Sequence, residues 1–209
     1  MNDHLIHLRF RHLKGELGGI TAVCSTHRTV LEAAFEEARS RGAILLVEAT
    51  SNQVNQFGGY TGMQPSDFAI YMRSLAAAAR FPLKRLIIGA DHLGPQPWKR
   101  MPAAQAMRRA TALVKACVKA GFNKIHLDAG MGCADDPEVT LPVELVAERS
   151  AALCRVAETQ SQKQSAGSPL PLYVIGAEVP QPGGGLEDTD QLEITPRKDV
   201  ALMIETIEA

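Results

Sequence analysis

A fivefold alternation constrains this chain more than any single motif. Apolar, strand-like runs recur at 19–25 (GITAVCS), 44–50 (ILLVEAT), 85–92 (RLIIGADH), 124–130 (KIHLDAG) and 172–178 (LYVIGAE). Helical periodicity fills the intervals. Residues 28–41 set Val30, Leu31, Ala34 and Ala38 on one stripe and stop at Gly42. Residues 66–80 open at Ser66 after Pro65 and repeat Phe68, Tyr71, Met72 and Leu75. Residues 102–120 run through Ala106, Ala110, Leu113, Val114 and Cys117 to a stop at Gly121. Two more stretches, 142–160 and 195–208, carry Leu145, Val146, Leu153 and Val156, then Val200, Met203, Ile204 and Ile207. Strand and helix in strict alternation predict an α/β fold, a parallel sheet wrapped by helices.

Two architectures satisfy that pattern: an open doubly wound sheet and a (β/α)8 barrel. Polar groups at the strand ends separate them. Glu48, Asp91 with His92, His126 with Asp128, and Glu178 close four different strands. A barrel spreads its site over many strand ends in this way. An open sheet gathers its ligand at one switch point, often behind a glycine-rich first turn, and the first turn here reads CSTHRT. The expectation is a (β/α)8 TIM-barrel type, one partial domain over 1–209 with an N-terminal arm at 1–18. About the first five β/α units are present. The rest of the barrel is then either supplied from elsewhere or missing from an incomplete gene product.

Composition narrows the function classes. Of 209 residues 45% are hydrophobic, enough for one sizeable core, and a net charge of −1 gives no footprint for nucleic acid or an anionic membrane. Cys24, Cys117, Cys133 and Cys154 are scattered without metal-knuckle spacing, so no disulfide framework is expected. The N-terminus lacks an apolar signal core and no run is long enough to span a membrane, so the expectation is a cytoplasmic protein. His4, His7 and His12 are irregularly spaced and read as part of a solvated arm.

Several residues are candidates for chemistry. Asp91 beside His92 offers a proton shuttle and a metal ligand, or a turn cap with an imidazole bonded inside it. Strand alternation sets His126 and Asp128 on one face and Ile125 and Leu127 on the other. Inward polar groups need partners, so His126 and Asp128 serve either a ligand or a mutual His–Asp network. Glu48 and Glu178 suit a hydroxylated ligand, base chemistry or a neighbouring cation. Asp135 and Asp136 before Pro137 read as caps of the following helix. Three glycines, 183–185, lack the lysine and serine of a phosphate-cradling loop. His27 is ambiguous in the same way. The loop 51–63 carries Asn52, Gln53, Asn55 and Gln56, amides suited to sugar hydroxyls or to satisfying their own backbone.

Five segments in order, EATSNQVNQFGGYTGM, DHLGPQPW, AGFNKIHLDAGMGCADDP, VAERSAALC and YVIGAEVPQPGG, resemble the GatZ/KbaZ family. Its members are non-catalytic subunits of tagatose-1,6-bisphosphate aldolase, some with an older tagatose-6-phosphate kinase label. No nucleotide-binding motif supports that label here. The resemblance implies a barrel related to class II aldolases. It also implies a role beside a catalytic Y-type subunit in galactitol, N-acetylgalactosamine or tagatose 6-phosphate catabolism, with a sugar phosphate as the ligand to look for. Class II aldolases carry an Asp-His pair after the third strand, the Asp as proton shuttle and the His as zinc ligand. By that resemblance Asp91 is the shuttle and His92 a zinc ligand, in a ligand set left incomplete here. The sequence departs from the family pattern at Gly130, Gly132 and Ala177, each replacing a hydroxyl residue. An alternative reading is a metal-dependent aldolase or epimerase acting alone; a third is a truncated product with an exposed strand edge.

Overall fold

The computed structural model describes residues 3–137, 141–164, 170–176 and 196–208. Five strands, β1 (Ala22–Cys24), β2 (Leu45–Thr50), β3 (Leu86–Leu93), β4 (Lys124–Asp128) and β5 (Leu172–Gly176), form one sheet in the order β1-β2-β3-β4-β5. Every pairing is parallel. Sequential order without reversal is the order of a barrel wall; a doubly wound sheet reverses at its switch point. The helices are α1 (Asp3–Leu13), α2 (Arg28–Ser40), α3 (Pro65–Ala78), α4 (Ala103–Ala120), α5 (Val143–Gln164) and α6 (Arg197–Glu208).

The period-2 pattern decides which sheet face is the core. Leu45, Val47 and Ala49 of β2, Leu86, Ile88 and Ala90 of β3, and Ile125 and Leu127 of β4 join one apolar cluster with the helices. Leu31, Phe35, Phe68, Met72, Leu113 and Leu153 complete it from the helix side, each fully buried. Burying each such side chain stabilises by about 1.5–3 kcal/mol. Phe35 meets Phe81 edge-on at 5.4 Å, which locks α2 against the turn after α3. The opposite face starts apolar, with buried Leu46 and Ile87, and becomes polar towards the strand ends.

Two local expectations need correction. The stripe of α2 is Leu31, Phe35 and Ala38, while Val30 is exposed, because the sheet meets the helix one residue round from the predicted line. α3 begins at Pro65, capped reciprocally by Gln64 and Asp67, since proline already has the φ of a first helical residue. In the N-terminal arm, for which no element was expected, residues Asp3–Leu13 form a largely exposed helix. Its end is tied back where His12 Nε2 lies 2.7 Å from the Gly18 carbonyl.

Candidate functional site

Alternation alone would send Asp91 and His92 to opposite faces of β3. The register of β3 against β4 shifts between Ala90 and Leu93, and His92 sits at φ +49°, in the left-handed region. That bulge turns both side chains to the polar face. Holding a non-glycine residue there costs about 1–3 kcal/mol. Buried Ser51 helps to hold it, donating from Oγ to the His92 carbonyl at 2.9 Å. Beyond the bulge a Cβ on Gly94 would strike the Asp128 carbonyl, so only glycine lets β3 pass so close to β4.

The polar groups pair crosswise. His126 Nδ1 lies 2.8 Å from Asp91 Oδ1, and His92 Nδ1 lies 2.7 Å from Asp128 Oδ2. Asp128 Oδ1 also accepts from the Gly130 amide at 3.1 Å. The two imidazole rings lie 4.6 Å apart between centroids, tilted 51° to each other. Facing a carboxylate oxygen, each Nδ1 is placed to donate its hydrogen. His92 Nε2 is 3.8 Å from Asp91 Oδ2.

Beneath them Glu48 meets a neighbouring cation, one of its three expected roles, and the cation is a lysine that sequence reasoning did not single out. Lys124 Nζ is 2.5 Å from Glu48 Oε1 and 3.6 Å from Asp91 Oδ1, and both Lys124 and Glu48 are buried. Glu48 Oε1 has no aligned hydrogen bond, so the contact is charge pairing rather than a directed bond. Lys124, His126 and Asp128 share one face of β4, the signal that could have found the lysine. Glycines make the room: a Cβ on Gly89 would lie 2.8 Å from Glu48 Oε1, and one on Gly176 would lie 2.8 Å from His126 Nε2. The cup therefore holds three carboxylates, one ammonium and two imidazoles.

Electrostatics follow from that inventory. The hydrogen bond from His126 holds the Asp91 carboxyl down at about 2; burial opposes the shift and Lys124 adds to it. Cys24 Sγ lies 3.7 Å from Asp91 Oδ2 and 3.9 Å from Gln53 Oε1. Burial, then the Asp91 and Glu48 charges, push its thiol up to about 11. At neutral pH it is therefore an S–H donor.

The amide loop divides. Asn55 is spent on its own loop, donating to the Ser51 carbonyl and accepting from the Phe57 and Gly59 amides. Gln56 donates to the Arg109 carbonyl. Gln53 accepts from the Thr50 amide and lines a cavity of about 700 Å³ with Ser25, Thr26, His27, Tyr60 and Tyr71. Asn52 is exposed beside a second cavity of about 400 Å³ under Trp98. Asp135 caps the preceding α4 by accepting from the Ala103 amide, not the following helix. Asp136 takes a bidentate bond from buried Arg149. Glu178, Ala177 and the glycines 183–185 lie outside the described residues. Thus Glu48, Asp91, His92, His126 and Asp128 converge, with Gln53 at the margin through Cys24.

A metal is the group that the class II resemblance implies. One donor atom each from Asp91, His92 and His126 lies within 4.8 Å of the others, so the donor set fits a small divalent cation. Asp128 orients His92 through Nδ1 and leaves Nε2 facing Asp91, the usual outer-shell arrangement around a ligating histidine.

Comparison with known proteins places this geometry. Residues 5–209 match the family model described as D-tagatose-1,6-bisphosphate aldolase subunit GatZ/KbaZ-like. The chain is 52% identical over 200 residues to D-tagatose-1,6-bisphosphate aldolase subunit GatZ of Klebsiella pneumoniae, covering 95% of this chain and 46% of that protein. To the GatZ subunit of Salmonella newport it is 48% identical, with the same coverage of 95% and 46%. The crystal structure of a probable tagatose 6 phosphate kinase from Sinorhizobium meliloti 1021 superposes with a TM-score of 0.78 at 41% identity. It covers 91% of this chain and 44% of that one. The chain thus spans about half the length of the curated relatives it matches. With the family model matching nearly every residue, the chain belongs to the GatZ/KbaZ-like family of D-tagatose-1,6-bisphosphate aldolase subunits.

Proposed function

We propose that this chain is a non-catalytic component of tagatose-1,6-bisphosphate aldolase. It works in the cytoplasm, supporting the activity and stability of a catalytic Y-type subunit during degradation of galactitol, N-acetylgalactosamine and tagatose 6-phosphate. The observation that carries this reading is 52% identity, over 95% of the chain, to a protein named as a subunit of that aldolase. The site supports it too. Crossed His–Asp bonds and the Glu48–Lys124 pair satisfy most of the polar groups internally, as a wall that must stay rigid requires. Mixing the chain with the catalytic subunit tests it: cleavage rate and Tm of the catalytic subunit rise on mixing. No change in either quantity rejects the support role.

A second reading is a metal-dependent aldolase or epimerase acting on a sugar phosphate in its own right. Favouring it is the grouping of Asp91, His92 and His126. A cation held there would act as a Lewis acid on a substrate carbonyl. This chain would contribute Asp91 as base and Glu48, Gln53, Asp128 and Glu178 as contacts to hydroxyls. Zinc titration followed by calorimetry, and cleavage by the isolated chain, decide it. Metal-dependent cleavage lost in Asp91→Ala establishes this reading; no zinc binding ends it.

A further inference from the structure

The net charge of −1 conceals a strong asymmetry. Between Asp67 and Asp128 the chain holds eleven Lys and Arg residues and a single acid, Asp91, which lies in the polar cup. The rest of the chain holds eleven basic and twenty-two acidic residues. Apart from buried Lys124, the basic residues of that segment include Arg73, Lys84, Arg108, Lys115 and Lys119, all exposed on or beside α3 and α4. None of these five has an ion-pair partner among the described residues.

The two helices pack side by side on the outer layer, and Arg73 donates to the Ala120 carbonyl, fixing one helix to the end of the other. On α4 the residues Ala104, Arg108, Ala112, Lys115 and Lys119 fall three or four apart and all are exposed. That is one basic stripe about 22 Å long with alanines between the charges. α3 adds exposed Ile70, Ala77 and Ala78. The flanking helices mix both signs at their surfaces, with Glu36 and Arg39 on α2 and Glu148 and Lys163 on α5.

We infer that the outer face of α3 and α4 is the docking surface for an acidic surface of the catalytic subunit. This rests on the assembly reading above. Small side chains between the cations let another folded surface approach closely, and exposed Ile70 of α3 offers an apolar contact. A surface for single-stranded nucleic acid would interleave aromatic side chains for base stacking, and α3 and α4 expose none among these residues. Fixed positive charge steers an acidic partner in.

The test is the affinity of the full chain for the catalytic aldolase subunit, measured by calorimetry across salt concentrations. The triple variant Arg108→Glu, Lys115→Glu, Lys119→Glu is compared with a control triple elsewhere, Arg9→Glu, Arg39→Glu, Lys163→Glu. Circular dichroism and Tm confirm that both fold. The inference expects the α4 triple to bind at least tenfold more weakly, the control to bind within about twofold of wild type, and wild-type binding to weaken as salt rises. Milder substitution of the same three residues by Gln gives an intermediate loss. Equal binding by both triples overturns the surface while leaving the assembly intact. Absence of any wild-type binding overturns the assembly reading and this surface with it. Loss of RNA binding or of self-association in the α4 triple, with affinity for the catalytic subunit unchanged, also overturns it.

Discussion

Lys124 brings the cup's one ammonium among three carboxylates, so its removal has a sharper consequence than loss of an exposed charge. Lys124→Met leaves Glu48 buried with no cation within reach, and breaking a buried pair from one side costs about 3–5 kcal/mol. Lys124→Met with Glu48→Gln removes the stranded charge and recovers much of that loss. Urea denaturation of wild type, both singles and the double closes the cycle; equal stability of single and double variants would refute the charge-pair account. At this scale the sequence was legible wherever side-chain type and strand period agree. Asp91, His126 and Asp128 follow from alternation. His92 does not, because its place depends on a backbone bulge whose only sequence trace is the glycine at 94. Asn55 and Gln56 look like ligand groups in composition but bond to backbone, since a long loop leaving a strand must first satisfy its own amides and carbonyls.

Among elements, β3 and its turn carry the tightest constraint. Gly94→Ala forces a Cβ against the Asp128 carbonyl and must either displace β4 or straighten the bulge, at a cost of about 1–3 kcal/mol. Gly19, with nothing near its Cβ position and no unusual φ, is the matched control, and Gly19→Ala leaves Tm unchanged within error. If both variants melt alike, the close passage of β3 over β4 is wrong. Removing the anchor of α2, Phe35→Ala, costs about 3–5 kcal/mol in the same assay, because Leu31 and Phe81 cannot collapse into the space. Element types were the most readable part of the chain: all five strands and the five helices after the arm fall on the predicted segments. Boundaries were less so. β1 keeps only Ala22–Cys24 of a seven-residue apolar run, since one side of it has no strand to pair with among the described residues. The helix of the arm escaped because its apolar residues face little and its periodicity is weak.

For the molecule as a whole, one sheet separates two environments, and each sets a different response. The helix side is apolar and indifferent to pH; the cup and the rim are ionised. Asp91 is held at about 2 by His126, and Asp136 is held low by the Arg149 fork, against an unfolded value near 3.8. A carboxylate with a depressed folded value binds fewer protons folded than unfolded, so stability rises with pH across the interval between the two values. The contribution is fully present above about pH 4 to 5 and is lost as pH falls towards 2. For Asp91 the span corresponds to about 2 kcal/mol, which the solvent reaching a half-open cup reduces towards 1. Stability measured by urea titration from pH 6 to pH 2.5 therefore falls on the acid side. In Asp91→Asn that acid limb is shallower, while its plateau is lower by the charge-assisted bond lost to His126. A limb of unchanged slope in that variant would mean that the acid response comes from elsewhere and that the His126–Asp91 bond does not hold the carboxylate ionised.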